Sequence, residues 1–159
     1  IDKYPETLLM YKHLIEKQKP ELDILYIADS STNFPLKAHC IDLHLDFFAA
    51  NEHNFYHNTF LYERMTPFLK EHADLIGTYF YFSHAQKSMR SLLSQYPECS
   101  ANNFSLSYFK NSLAESDFIL KDCESLDAVT DSGNNLGFGF HQKGEKMYLM
   151  PYYAQKTGQ

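Results

Sequence analysis

Hydrophobic residues along the chain alternate between helical spacing and short continuous apolar runs. A first helix is predicted between Pro5 and Lys19, because apolar residues recur there every three or four positions and proline is tolerated in a first helical turn. The apolar runs predict strands at Ile24–Ala28, Cys40–Phe48, Leu75–Phe82, Phe118–Val129 and Met147–Ala154. Helical spacing predicts further helices at Thr59–His72, Lys87–Gln95 and Ser107–Ser116.

Two prolines modify this pattern. Pro67 should kink the helix Thr59–His72 or end its first half, because proline lacks an amide hydrogen and clashes with the preceding turn. Pro151 favours an edge position for the last strand. The run Leu75–Phe82 is apolar on both faces, which is typical of a buried parallel strand. Gln142–Glu145 is the expected tip of a hairpin before the last strand.

Acidic residues lie at the ends of the predicted strands. Asp29-Ser30-Ser31 follows the run Ile24–Ala28, where an acidic side chain meets ligands at the carboxyl edge of an α/β sheet. Asp and Ser also simply end strands and begin turns, so both interpretations stay open. Asp42 and Asp46 flank the next run and suit a general acid and base. No nucleophile is visible nearby, which favours the simpler role of strand termini.

The order of these motifs resembles the middle of the class I S-adenosylmethionine-dependent methyltransferases. Asp29-Ser30-Ser31, Phe34-Pro35-Leu36 and Ile41-Asp42-Leu43 are similar to the family's strand-ending Asp, its Leu-Pro-Phe-like triplet and a strand that opens Phe-Asp. Ile1-Asp2-Lys3-Tyr4-Pro5-Glu6 resembles the family's Ile-Asp-x-Ser-x-Glu at the end of its second strand. The resemblance covers nearly the whole chain and rests on the order and spacing of the motifs.

The resemblance implies an α/β chain with an incomplete Rossmann-like methyltransferase fold, in which helices cover both faces of a mostly parallel sheet that ends in an antiparallel hairpin. It implies S-adenosylmethionine as the cofactor, with Asp2 on the ribose hydroxyls and Asp29 and Ser30 at the adenine edge. The region Leu45–Asn51 would border the transferred methyl group, which makes Asp46 a candidate cofactor-binding residue. The methyl acceptor is unknown.

One part of the family pattern has no counterpart in these 159 residues. The six glycines, at positions 77, 133, 137, 139, 144 and 158, include no GxGxG loop, and no initiator Met is present. We therefore expect residues 1–159 to be a single truncated domain that is inactive alone. In the resembled fold the first and second strands lie between the third and fourth, and these residues contain the third and fourth without the two between them. The loss of those central strands would leave backbone groups unpaired. We expect one of three outcomes: the third and fourth strands close up on each other, the N-terminal helix-strand unit detaches, or a second copy supplies the missing neighbour in a homodimer.

A metal site is the main chemical alternative. His39, Cys40, His44, His53 and His57 lie close together in the sequence, and His and Cys are ligands of zinc. His53 and His57 have the spacing of one helical face, but Asn54 stands where a HExxH motif has Glu, and residues 51–58 are not convincingly helical. Solvated histidines in a polar loop are the simpler interpretation, so we expect no metal.

Aromatic residues and charge narrow the function further. Tyr79-Phe80-Tyr81-Phe82 with His84, and the pair Tyr152 and Tyr153, suit either a core or the acceptor-facing edge of the resembled fold. The net charge of −6 and the lack of a Lys/Arg cluster argue against nucleic-acid binding, and no apolar run reaches the ~20 residues that span a bilayer. Three widely spaced cysteines favour a reducing, cytoplasmic setting.

A non-catalytic role is the second functional hypothesis. Methyltransferase-like domains of this kind can be fused behind a helix-turn-helix DNA-binding head, as in MerR-type regulators, where they act as sensor or interaction modules. This hypothesis is an analogy at the level of the fold.

Overall fold

A computed structural model of the chain describes residues 4–21, 23–28, 35–47, 61–81, 87–95, 97, 105–124, 126–130 and 146–158. Internal contacts divide the chain into two compact units, Ile1–Leu36 and Lys37–Gln159. The expectation of one domain over residues 1–159 stays a prediction.

The first unit contains helix α1, Pro5–Gln18, as predicted. Pro5 occupies the first turn, where its missing N–H has no helical partner to lose, and the N–H of Lys19 closes the helix on the Ile15 carbonyl at 2.7 Å. The predicted strand Ile24–Ala28 is wrong, because only Ala28 forms a bridge and Leu25 is 79% exposed. A strand needs a hydrogen-bonded neighbour along its length, and apolar composition alone does not supply one.

The second unit is a mixed α/β fold, which confirms the predicted class. Its elements are β1 (Ile41–Phe47), α2 (Leu61–Met65), β2 (Leu69–Tyr81), α3 (Lys87–Gln95), α4 (Leu106–Glu115), β3 (Phe118–Cys123), β4 (Leu126–Thr130) and β5 (Lys146–Lys156). The strand order is β1-β2-β5-β3, with β4 also paired to β5. Only β1 and β2 are parallel, so the described part of the sheet is mostly antiparallel rather than mostly parallel.

The two faces of this sheet differ in burial. Leu75 and Tyr79 of β2 and Met150 and Tyr152 of β5 are buried on one face, against Phe109 of α4. The Phe109 ring stacks on Tyr79 at a centroid distance of 4.2 Å and meets Tyr152 edge-on at 4.9 Å. On the other face, side chains such as Leu43, Leu45 and Ile76 are exposed. Strand β2 is therefore buried mainly on one face, not on both as its apolar run suggested.

Helix α4 begins where the sequence provides a cap. The Ser105 hydroxyl accepts a hydrogen bond from the N–H of Tyr108 at 3.0 Å, which satisfies one of the unpaired amides of the first turn. The helix ends at Glu115, and Asp117 then adopts the left-handed conformation that commonly follows a helix. This turn directs the chain straight into β3. None of the described helices combines the length and the apolar composition needed to cross a lipid bilayer.

The predicted helix Thr59–His72 is wrong in its second half. Helix α2 ends at Met65, a 3-10 turn follows over Thr66–Phe68, and β2 starts at Leu69. Pro67 ends the helix as predicted, because it lacks the amide hydrogen that a continuing α-helix requires. Leu69 and Ala73 then bury their side chains as part of the sheet.

Pro151 does not lie on an edge strand, which corrects another prediction. Strand β5 pairs with β2 on one side and with β3 and β4 on the other. The Pro151 carbonyl accepts a hydrogen bond from Glu124, which places its missing N–H on the same side, at the break between β3 and β4. The same break divides the predicted strand Phe118–Val129 into two. A proline is thus tolerated in a central strand where the neighbouring ladder is interrupted.

Gly77 permits a close approach between three strands, and this generates a testable prediction. A Cβ atom at position 77 would lie 2.5 Å from both the Asp46 carbonyl oxygen and the Tyr152 hydroxyl. Gly77→Ala should therefore lower the free energy of unfolding by about 1–3 kcal/mol or more, as overpacking of a core does. Urea denaturation followed by circular dichroism measures this change.

Gly158→Ala is the matched control, since its Cβ would meet only the ring of the exposed His72, which can rotate away. We expect this variant to stay within about 0.5 kcal/mol of the parent chain, as surface substitutions usually do. Equal destabilisation by both substitutions would contradict the steric argument.

Candidate functional site

Asp46 is a polar residue buried near the carboxyl end of β1. It is the penultimate residue of the strand, and the strand register places it beside Gly77 of β2, which in turn pairs with Tyr152 of β5. Because Gly77 has no side chain, the Tyr152 ring lies over it and its hydroxyl reaches the Asp46 Oδ2 atom at 3.4 Å. Ligands of open α/β sheets bind beyond this end of the strands, so Asp46 lies at the relevant edge.

Helix α2 completes this polar cluster through Tyr62. The Tyr62 hydroxyl donates a hydrogen bond to Asp46 Oδ2 and also lies within hydrogen-bonding distance of the Tyr152 hydroxyl, so that two hydroxyl hydrogens serve the three contacts of the cluster. Tyr62, Asp46 and Tyr152 are 0%, 1% and 4% exposed, so all three are shielded from water. We call these three residues the Asp-Tyr-Tyr cluster. Hydrogen bonds to a charged acceptor in such surroundings are worth more than those at a surface.

The phenol groups of the cluster are held in their neutral form. Burial, followed by the negative charge of Asp46, raises the pKa of Tyr62 well above its ordinary value of 10.0. The same two causes raise the pKa of Tyr152, although its hydrogen bond to Tyr62 acts in the opposite direction. Neutral phenols can donate hydrogen bonds to Asp46, and the cluster therefore links α2, β1 and β5 at neutral pH.

His44 lies two residues before Asp46, on the same face of β1. Its ring meets the Tyr62 ring edge-on at a centroid distance of 6.3 Å. Burial lowers the pKa of His44, and the charge of Asp46 opposes that shift. The Nε2 atom is buried without a hydrogen-bond partner in the part of the chain that the structure describes. His44 is thus a neutral ring packed beside the cluster.

The structure places only some of the residues that the sequence singled out. Asp2, Asp29 and Ser30 lie outside the described residues, so their cofactor-binding roles stay predictions. Asp42 is exposed and its carboxylate binds Lys70 at 2.7 Å. Four residues of extended strand separate it from Asp46 by about 13 Å, so the structure does not bring the two together as an acid and base pair.

The proposed metal ligands are also separated where they are described. Cys40 is exposed before β1, His44 is half-buried beside the Asp-Tyr-Tyr cluster, and His53 and His57 lie outside the described residues. Within the described ranges, no group of three or more His, Cys, Asp or Glu side chains is arranged to hold a metal ion.

The aromatic candidates fall into two groups. Tyr79 and Phe80 are core residues, and Tyr81 stacks on Tyr148 at 5.1 Å, whereas Phe82 and His84 lie outside the described residues. Tyr153, on the other face of β5, donates a hydrogen bond to Asp74 at 2.8 Å. Tyr62 was not identified from the sequence. Its neighbours Leu61 and Met65 indicate a buried helical face, but no local signal connects it with residues 46 and 152.

Comparisons with known proteins identify the fold. The sequence matches no protein-family model, and no curated protein matches it significantly. Among solved structures, an S-adenosylmethionine-dependent methyltransferase from Methanosarcina mazei superposes with a TM-score of 0.69 at 12% identity, over 99% of this chain and 81% of that one. The MccD protein gives a TM-score of 0.70 at 12% identity, over 97% and 77% of the two chains. A geranyl diphosphate methyltransferase in complex with S-adenosylmethionine gives 0.69 at 8% identity, over 98% and 67%.

The raised pKa values of Tyr62 and Tyr152 predict that the folded chain loses stability at alkaline pH. Their pKa values are raised in the folded state, so the stabilisation is complete below about pH 10, the pKa of unfolded tyrosine, and declines as the pH rises above it. Urea midpoints measured between pH 8 and pH 11 should fall more steeply for the parent chain than for Tyr152→Phe. Phe109→Leu should lower stability at every pH while keeping the parent slope, because it removes packing and no phenol.

A mutant cycle predicts how the cluster contributes to stability. Asp46→Ala removes the acceptor of two buried hydroxyls and should cost about 2–4 kcal/mol, since a buried donor without a partner keeps its desolvation penalty. The triple variant Asp46→Leu, Tyr62→Phe, Tyr152→Phe removes all of the polar groups together and should be more stable than Asp46→Ala. Additive losses across the three positions in urea denaturation would show that the groups do not act as a unit.

Proposed function

We propose that this chain, which has the fold of class I S-adenosylmethionine-dependent methyltransferases, serves methyl transfer from S-adenosylmethionine to an acceptor. The observation that carries the proposal is the strand order β1-β2-β5-β3, with an antiparallel β5 between β2 and β3, in a chain that superposes over nearly its whole length on methyltransferases. Folds host more than one function, so residues at the site must support the assignment.

The proposed cofactor contacts come from the N-terminal motifs. Asp2 would accept hydrogen bonds from the ribose hydroxyls, and Asp29 with Ser30 would bind the adenine edge. A carboxylate is suited to both tasks because it accepts several hydrogen bonds from hydroxyl or amino groups. The chain after Leu45 would border the methyl group, where the main requirement is to align the acceptor for an in-line displacement.

We assign Asp46 a supporting part in this proposal. Its Oδ2 atom accepts hydrogen bonds from Tyr62 and Tyr152, and the residue is 1% exposed. These hydrogen bonds tie the end of β1 to helix α2 and to strand β5. We therefore propose that Asp46 positions the segment that follows β1, and that its predicted contact with the cofactor is indirect.

The chain lacks a GxGxG motif, and this affects the affinity that we propose. Backbone amides of such a loop would hold the methionine end of the cofactor, whereas none of the six glycines here forms that pattern. We propose that these 159 residues bind S-adenosylmethionine weakly and do not catalyse methyl transfer by themselves. We also propose a cytoplasmic setting, which the exposed free thiol of Cys40 supports because exposed thiols persist in reducing compartments.

Calorimetric titration with S-adenosylhomocysteine tests the assignment of the site residues. Asp2→Asn, Asp29→Asn and Ser30→Ala should each weaken binding, by about tenfold or more for the two acids, since a hydrogen bond to a charged group is worth about 1.5–3 kcal/mol. Asp42→Asn is the matched control, because it removes the same charge from an exposed ion pair of β1. Equal weakening by the control would contradict the assignment.

The same titration on the longest natural polypeptide that contains this sequence distinguishes the remaining alternatives. If only the longer polypeptide binds, the affinity comes from a glycine-rich segment outside these residues. Binding without methyl transfer would favour the non-catalytic sensor or interaction domain of a regulator. Undetectable binding by both polypeptides would contradict an enzymatic role.

A further inference from the structure

A cleft at the other end of the sheet carries charged side chains that the proposed methyl transfer does not use. It has a volume of about 210 Å³ and is lined by His39, Thr66, Glu71, Asp117, Lys156 and Thr157. Lys156 lies four residues after Tyr152 on β5, so the cleft is about 13 Å along that strand from the Asp-Tyr-Tyr cluster. This volume is below the ~300–1,000 Å³ of pockets for drug-sized ligands and suits a small molecule.

Lys156 provides a buried positive charge at this cleft. The residue is 9% exposed, and its ammonium group donates hydrogen bonds to the carbonyl oxygens of Thr66 and Leu69, each at 3.0 Å. An ammonium group has three N–H donors, so these two bonds leave one donor for a further acceptor. Among the described residues no carboxylate lies within 4.0 Å of it, although buried charges are usually paired.

Two acidic side chains line the same cleft, and neither of them neutralises Lys156. Glu71 and Asp117 both contribute to the lining, and neither forms an ion pair with Lys156 in the described structure. The His39 Nδ1 atom lies 3.3 Å from the Leu69 carbonyl, which can only accept, so Nδ1 carries the hydrogen. The cleft therefore offers a cation and two anions that remain separate from one another.

The backbone around the cleft is shaped to present these side chains. His39, His72 and Asp117 are non-glycine residues with positive φ angles of 52°, 60° and 64°. The register of β1 with β2 advances two residues on β1, from Ile41 to Leu43, against five on β2, from Leu69 to Asp74. The additional residues of β2 form an irregularity that contains Glu71, and such irregularities re-aim side chains at binding sites.

We propose that this cleft binds a small zwitterion of the α-amino acid class. Its carboxylate would accept the remaining hydrogen bond of the Lys156 ammonium group, and its own ammonium group would lie against Glu71 and Asp117. A ligand with only one charge would satisfy one side and face repulsion or lack a partner at the other. The site is separate from the proposed cofactor site at the carboxyl end of β1.

Titration of the ¹⁵N-labelled chain with glycine, followed by amide chemical shifts, tests this proposal. Glycine should cause saturable shifts at Thr157 and Asp117, and acetate and methylammonium should each bind at least fivefold more weakly. Glu71→Gln and Asp117→Asn should each weaken glycine binding at least threefold. Asn tolerates the left-handed backbone at position 117, so that variant removes the charge without adding strain. Glu63→Gln, an exposed acid on α2, is the matched control and should leave glycine binding unchanged.

Lys156→Met should abolish glycine binding, and the Gln and Asn variants carry the test if that variant does not fold. Absence of saturable shifts would overturn the proposal. Acetate binding as tightly as glycine, or unchanged affinity in both Glu71→Gln and Asp117→Asn, would overturn it as well. Titration with S-adenosylhomocysteine is independent of these measurements, so failure at one site is distinguishable from failure at the other.

Discussion

The close approach of Asp46, Gly77 and Tyr152 is the constraint on which the second unit depends. These three residues face one another across β1, β2 and β5, and the absence of a side chain at position 77 lets the phenol of Tyr152 reach the acid. Tyr62 then ties helix α2 to the same carboxyl group. Hydrogen bonding inside a packed core is strongly directional, so this cluster specifies the register of the strands and the placement of the helix together.

The two ends of the sheet have different physical character. At the carboxyl end of β1 the polar groups are mutually bonded and shielded from water. At the amino end, the charged groups of the cleft line an open space without pairing with each other. A bonded cluster supports neighbouring segments, whereas separated charges attract a ligand. We therefore assign support to the first end and a second binding site to the other.

Prediction from the sequence succeeded where local signals were sufficient. Helix α3 has the bounds Lys87–Gln95 that apolar spacing predicts, and α1 begins at Pro5. It failed where a neighbour decides the outcome. The run Ile24–Ala28 is as apolar as a strand and is not one, while Pro151 lies in a central strand because the adjacent ladder is broken beside it. The composition of a segment does not determine which strand, if any, will pair with it.

The sequence by itself determined the positions of helices α1, α3 and α4, most of the strand-forming runs of the sheet and the resemblance to methyltransferases, because periodicity and motif order are local properties. Only the tertiary structure decided that Tyr62, Asp46 and Tyr152 form one cluster, and that His39, Asp117 and Lys156 line one cleft. These residues are separated by 16 to 106 positions in the cluster and by as many as 117 in the cleft, as 156 − 39 gives. Strand pairing brings them together, and pairing depends on the register and packing of the whole sheet rather than on any single segment.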